Sequence, residues 1–216
     1  MIKTAIFDLD GTLINTLADL AAACNYALEE CGFPSHETEE YRYFVGNGVI
    51  RLIERIIPPG KLSPGVSDRI HVLFDKYYHE HYNVFSKPYD GIEDTLDTLI
   101  KNGVKCAVVS NKPDEFTNII IKEYFGERFF CVRGNIPGTA VKPDPAGVRY
   151  VLDEAGVSAG EAVMIGDSGV DMETAKNAGV KSIGCLWGFR DEKELRESGA
   201  DMIACGPGEL TKLIIG

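Results

Sequence analysis

Apolar and polar positions change rhythm twice along this 216-residue chain. The run Ala5-Ile6-Phe7 is short, continuous and stopped abruptly by Asp8, the pattern of a buried strand whose end meets a ligand or solvent. Leu17, Leu20, Ala21, Cys24, Leu28 and Cys31 then recur at helical spacing, and Gly32 follows where a helix C-terminus is expected. Further helical patterns cover 37–45, 49–57 and 67–82, separated by Gly46-Asn47-Gly48 and Pro58-Pro59-Gly60, with no strand pattern between them. From Tyr89-Asp90-Gly91 onward the spacing predicts helices over 92–102, 115–125, 146–155, 171–178 and 192–197. They alternate with β-branched runs at 104–110, 130–132, 162–165, 181–186 and 201–204.

Continuous apolar strands such as Val163-Met164-Ile165, alternating with helices, imply a parallel sheet covered on both faces. The first strand therefore belongs with the later half of the chain. The expected architecture is α/β, a Rossmann-like parallel sheet built from residues 1–14 and 87–216, with an inserted all-helical domain over 15–86. The two crossings, near Ile14 and Lys87, form a natural hinge, and an insertion that begins just after Asp8 sits over the crevice at the strand ends.

Composition narrows the partners. With 33 acidic against 22 basic residues the net charge is −11, which disfavours nucleic acid and anionic membrane surfaces and makes an anionic substrate depend on local cations. No apolar run approaches the roughly 18 residues of a membrane span, and Met1-Ile2-Lys3-Thr4 runs straight into the first strand, so a soluble, cytoplasmic protein is expected. Six cysteines lie dispersed without a C-x-x-C pair, most of them inside apolar periodic segments, and read as reduced core residues. The sequence leaves oligomeric state open.

The candidate chemistry gathers at strand ends. Asp8 and Asp10 point to one side of the strand with Leu9 between them, and two anions so close need a cation or a proton. Ser110-Asn111-Lys112 ends a strand just before a helix, a place that suits phosphate, although Ser110 or Asn111 would serve equally as a plain helix cap. Lys142 is stiffened by Pro143 and Pro145. Asp167 and Asp171 follow another strand among glycines; either alone reads as a turn or cap residue, but four strand-end carboxylates together suit a hard cation such as Mg²⁺. His36, His71, His79 and His81 lie in or beside the helical insertion, away from this constellation, which disfavours zinc and iron. Trp187-Gly188-Phe189 follows a strand end, where the aromatic rings either line the entrance or pack inside.

Asp8-x-Asp10-x-Thr12, Ser110, Lys142 and Gly166-Asp167-x-x-x-Asp171 occur in an order that resembles the haloacid dehalogenase superfamily of phosphohydrolases, across nearly the whole chain, and most closely its phosphoglycolate phosphatase-like members. The resemblance implies a nucleophile at Asp8, an acid and base at Asp10, and phosphate contacts from Thr12, Ser110, Asn111 and Lys142. It implies Mg²⁺ held by Asp8, the Asp10 carbonyl and Asp167 with Asp171 supporting, and a helical cap over a small phosphorylated metabolite. Nearby anions are expected to keep Asp10 protonated for the first step, while Asp8 stays ionised beside the metal and Lys142. Gly46, Asn47 and Gly48 resemble a specificity loop whose backbone N–H groups meet a substrate carboxylate, but also read as an interhelical turn. Asn15 departs from the acidic residue many relatives carry there. A sugar-phosphate mutase, a pyrophosphatase or nucleotidase, a dehalogenase and a phospho-accepting signalling domain are the competing readings.

Overall fold

The computed structural model describes residues 1–216. Six parallel strands form the central sheet: β1 (Thr4–Phe7), β4 (Lys105–Pro113), β5 (Cys131–Asn135), β6 (Ala162–Gly166), β7 (Lys181–Cys185) and β8 (Met202–Ala204). Their order is β5-β4-β1-β6-β7-β8, so β1 lies near the centre with β4 and β6 as neighbours. Alternation along β1 explains why it is buried throughout. Ala5 and Phe7 enter one apolar cluster and Ile6 the other, each shared with matching positions of β4 and β6.

Helices α7 (Ala146–Ala155) and α8 (Gly169–Ala178) cover the Ile6 face through Val148, Val151, Leu152 and Ala175. Helices α5 (Ile92–Lys101), α6 (Asp114–Phe125) and α10 (Pro207–Ile215) cover the other through residues such as Leu96, Phe116, Ile120 and Leu210. The short α9 (Glu192–Glu197) precedes β8.

Between β2 (Ile14–Asn15) and β3 (Lys87–Pro88) the chain is helical: α1 (Leu17–Glu30), a 3₁₀ turn at Thr38–Glu40, α2 (Tyr41–Phe44), α3 (Val49–Ile56) and α4 (Pro64–His81). α1 and α4 pack together with Tyr26 stacked on Tyr77 at 4.7 Å. β2 and β3 make a two-residue antiparallel ribbon, Ile14 opposite Pro88 and Asn15 opposite Lys87, so the chain leaves and re-enters the sheet region side by side.

Four local readings are corrected. The helix expected over 37–45 is a 3₁₀ turn running into the single turn of α2. β4 continues to Pro113, three residues past the strand predicted over 104–110. α8 starts at Gly169 with Ser168 as N-cap, which makes Asp171 the third residue of a capping box and not the cap itself. α10 lies beyond the last expected element. Its start was written in Gly206-Pro207, and Leu210 and Ile214 are its buried stripe. No helix is long and apolar enough to cross a membrane.

Candidate active site

β1, β4 and β6 deliver their C-terminal residues to one crevice. β1 hands over at Asp8, whose N–H donates to the Ile165 carbonyl at 2.9 Å, so the first acidic residue lies where β1 and β6 end together. Lys142 arrives from the loop before α7 and is 4% exposed. Its Nζ lies 2.8 Å from Asp8 Oδ1 and 2.7 Å from Asp171 Oδ1. Carboxylate oxygens of Asp8, Asp167 and Asp171 come within 4.8 Å of one another, all three residues buried.

Glycine makes this crowding possible at three places. A Cβ on Gly11, at φ +85°, would fall 2.2 Å from Asp167 Oδ2; one on Gly188 would fall 2.2 Å from Asp167 Cβ, and one on Gly166 would fall 2.2 Å from Asp171 Cγ. The acidic residues are also oriented from behind. Asp167 accepts from Thr12 Oγ1 at 3.1 Å and from the Phe189 N–H at 2.8 Å, and Asp171 accepts from the Ser168 N–H and hydroxyl.

Burial is the largest influence on these groups. It pushes Asp8 up to about 7, against the pull of Lys142 and with help from Asp171 and Asp10. It pushes Asp167 up to about 8, with Asp171 and then Asp8 adding to it. Lys142 moves the other way: burial lowers it, but Asp171 and Asp8 outweigh burial and hold the ammonium above its ordinary value. One lysine therefore does not balance three buried carboxylates, so Asp8 is not kept ionised by Lys142 alone. The donor set is all oxygen, which suits Mg²⁺ and gives zinc or copper none of their preferred nitrogen or sulfur.

The groups within hydrogen-bond reach of Asp10 are a hydroxyl and a cation, not the anions expected to surround it. Its Oδ1 accepts from Thr16 Oγ1 at 2.6 Å and from Lys112 Nζ at 3.1 Å; the lysine also lies 3.4 Å from Oδ2. Lys112 is a cation that reading the motifs passed over, and the signal was alternation: with β4 running to Pro113, Ser110 and Lys112 fall on the same side of one strand.

Two expected phosphate contacts are otherwise engaged. The Thr12 hydroxyl is fully buried against Asp167. The Asn111 amide is spent on backbone: Oδ1 accepts from the Lys142 N–H at 2.7 Å, while Nδ2 donates to the Lys142 carbonyl at 3.0 Å and to the Gly46 carbonyl at 3.1 Å. Ser110 is 6% exposed and lines the crevice.

The helical segment roofs the crevice to leave a cleft between it and the strand ends. Asp8, Asp10, Lys112 and Ser110 form its floor; Val49, Leu52 and Phe74 are part of its apolar wall. Gly46 and Gly48 reach the cleft, while the Asn47 side chain turns away to accept from Arg55 at 2.7 Å. The carbonyls of the loop face the sheet. Gly46 O meets Asn111, and Val45 O accepts from Arg190 at 2.8 Å, a second cation that the motif reading did not single out. Trp187 is half-buried with Nε1 donating to the Thr12 carbonyl at 3.0 Å, so it packs against the first loop.

The sequence model of the haloacid dehalogenase-like hydrolases matches residues 5–185. A phosphoglycolate phosphatase of Vibrio parahaemolyticus is 32% identical over 219 residues, covering 99% of this chain and 96% of that one. One from Pseudomonas savastanoi is 35% identical over 220 residues, covering 99% of this chain and 79% of that one. The crystal structure of a Lactobacillus delbrueckii protein provisionally named phosphoglycolate phosphatase superposes with a TM-score of 0.93 at 33% identity, covering 98% of each chain.

Proposed function

The chain belongs to the haloacid dehalogenase-like hydrolases and is a phosphatase, and from that premise we propose that it hydrolyses a small phosphate monoester, 2-phosphoglycolate first among them, through an aspartyl-phosphate at Asp8. The observation that carries the reading is the juxtaposition of a lysine-held carboxylate, Asp8, with a second carboxylate two residues on whose partners belong to a different cluster.

In the first step an Asp8 carboxylate oxygen bonds to phosphorus while the bond from phosphorus to the alcohol oxygen breaks, and the departing alkoxide takes a proton from Asp10. In the second, a water oxygen bonds to phosphorus, Asp10 takes the water proton back, and the Asp8–phosphorus bond breaks. The sum is ester plus water giving alcohol plus phosphate. Lys142, bridging Asp8 and Asp171, meets the charge of the phosphoryl oxygens, and the Ser110 hydroxyl is placed to donate to one of them. Asp8, Asp167 and the Asp10 carbonyl, with Asp171 supporting, would hold Mg²⁺, which when bound supplies charge neutralisation that one lysine cannot.

In this reading residues 15–86 act as a cap on a core of 1–14 and 87–216. Gly46, Asn47 and Gly48 belong to its roof, and cap closure shields the phosphoenzyme from bulk water.

The test is phosphate release from 2-phosphoglycolate with Mg²⁺ or with EDTA, together with acid-quenched labelling of the protein. Wild type is expected to turn over only with the metal, and Asp8→Asn to fold normally yet release no phosphate and carry no label. Turnover by Asp8→Asn within tenfold of wild type removes the nucleophile assignment.

A further inference from the structure

The surroundings of Asp10 assign a specificity element within the same site, which rests on the phosphatase reading above. A phosphate ester must bring its bridging oxygen to Asp10 to collect the proton. Whatever is bonded to the adjacent carbon then lies beside the groups that flank Asp10.

One flank is Thr16, at 2.6 Å. The other is the ammonium of Lys112, on a side chain only 3% exposed that lines the cleft. Asp10 is its one ion-pair partner. An ammonium carries three N–H donors, and a single carboxylate leaves part of that capacity unused. The wall beside it is aromatic, with the Tyr78 ring 4.8 Å from Nζ, Phe74 stacked on Tyr78 and Phe116 edge-on to it. Arg190, the other cation of the cleft, is committed elsewhere: it donates to Val45 O, lies 3.3 Å from Glu194 and sits over the Tyr43 ring.

We propose that Lys112 is a specificity-determining residue that receives a carboxylate borne on the carbon next to the ester oxygen, so that the site selects phosphate monoesters of 2-hydroxy carboxylates. Such a carboxylate begins two bonds from the bridging oxygen, so it reaches the group beside Asp10 without the substrate leaving Asp10. In an apolar wall an anion needs a cation partner, and the charge-assisted hydrogen bond provides it. An ester with a plain alkyl group leaves the N–H capacity that Asp10 does not use facing that wall unmet, which is how a polar pocket discriminates against the analogue lacking the polar group.

A purely structural Lys112, present only to set the Asp10 rotamer, would affect every ester alike, so the experiment reads a ratio. kcat/KM is measured for 2-phosphoglycolate and for ethyl phosphate, which lacks the carboxylate, on wild type, Lys112→Met and Lys112→Arg. Wild type is expected to prefer 2-phosphoglycolate, Lys112→Met to cut that preference by about 10- to 100-fold, and Lys112→Arg to keep most of it. Partial misfolding or a displaced Asp10 lowers both substrates together and cannot move the ratio. A preference unchanged in Lys112→Met overturns the assignment, as does a wild type that treats the two esters equally while still releasing phosphate from both. If neither ester is hydrolysed with Mg²⁺ and Asp8 carries no label, the phosphatase reading itself falls and this assignment falls with it.

Discussion

In the proposed mechanism Asp10 gives a proton and then takes one, and the choice of leaving group makes those tasks separable. With p-nitrophenyl phosphate the leaving group departs with little help, so Asp10→Ala should still transfer phosphate to Asp8 but lose water activation, worth about 10² to 10⁴ in rate. Rapid mixing should then show a nitrophenol burst approaching one per site; slow turnover without a burst would confine Asp10 to metal placement. Asp8, Asp10, Lys142, Asp167 and Asp171 were legible as polar residues of one crevice because they stand at or just after the ends of recognisable runs, most of them close to a glycine or a proline. Lys112 was not, because its meaning comes from Asp10, 102 residues away, and a lysine following a strand reads as solvated until the strand is seen to continue beneath it. Asn111 was legible as a polar strand-end residue, but its actual partners, the Gly46 and Lys142 carbonyls, are backbone groups that leave no trace in sequence.

At the scale of elements, the β-branched runs and the helical stripes were readable because burial on one face or two enforces a period. The β2–β3 ribbon escaped because two residues have no period, and it is the place where the helical segment is tied to the sheet. Asp19, in the first turn of α1 and 2% exposed, fastens that junction. Its carboxylate accepts from the N–H groups of Phe85 and Ser86 and from the Ser86 hydroxyl at 2.6 Å, just before β3. Asp19→Ala leaves the buried Ser86 N–H and hydroxyl without that acceptor and should cost about 1–3 kcal/mol in urea unfolding. Proteolysis should open the chain near residues 83–86 before the sheet is attacked. An unaltered cleavage pattern would mean that the junction is held by the apolar contacts of α1 and α4 alone.

The whole molecule is acidic, and three buried carboxylates meet in the crevice, so cation binding should be visible as stability. Asp8 at about 7 and Asp167 at about 8 lie well above a free carboxylate, near 3.9. Without metal, the stability tied to their protonated forms is complete below about pH 4 and is lost as the pH rises through 7 and 8. Mg²⁺ binds the ionised carboxylates, so its affinity grows over the same interval. The melting temperature in Mg²⁺ should therefore exceed that in EDTA by a margin that widens from about pH 6 to about pH 9, reaching roughly 5 to 10 °C at a hundredfold excess over Kd. Asp167→Asn should abolish the margin, and a flat margin in wild type would contradict the placement of the cation among these carboxylates. The position of β1 also has a temporal consequence. Thr4 pairs with Lys105 on one side and with Ala162 on the other, so during synthesis this strand waits for partners made much later. Such distant pairings fold slowly and leave the early segment exposed meanwhile. The helices over 17–81 can form from local contacts while β1 is still single. A nascent chain thus carries its roof before it has a floor, and the acidic cluster does not exist until β6 has emerged and brought Asp167 to Asp8.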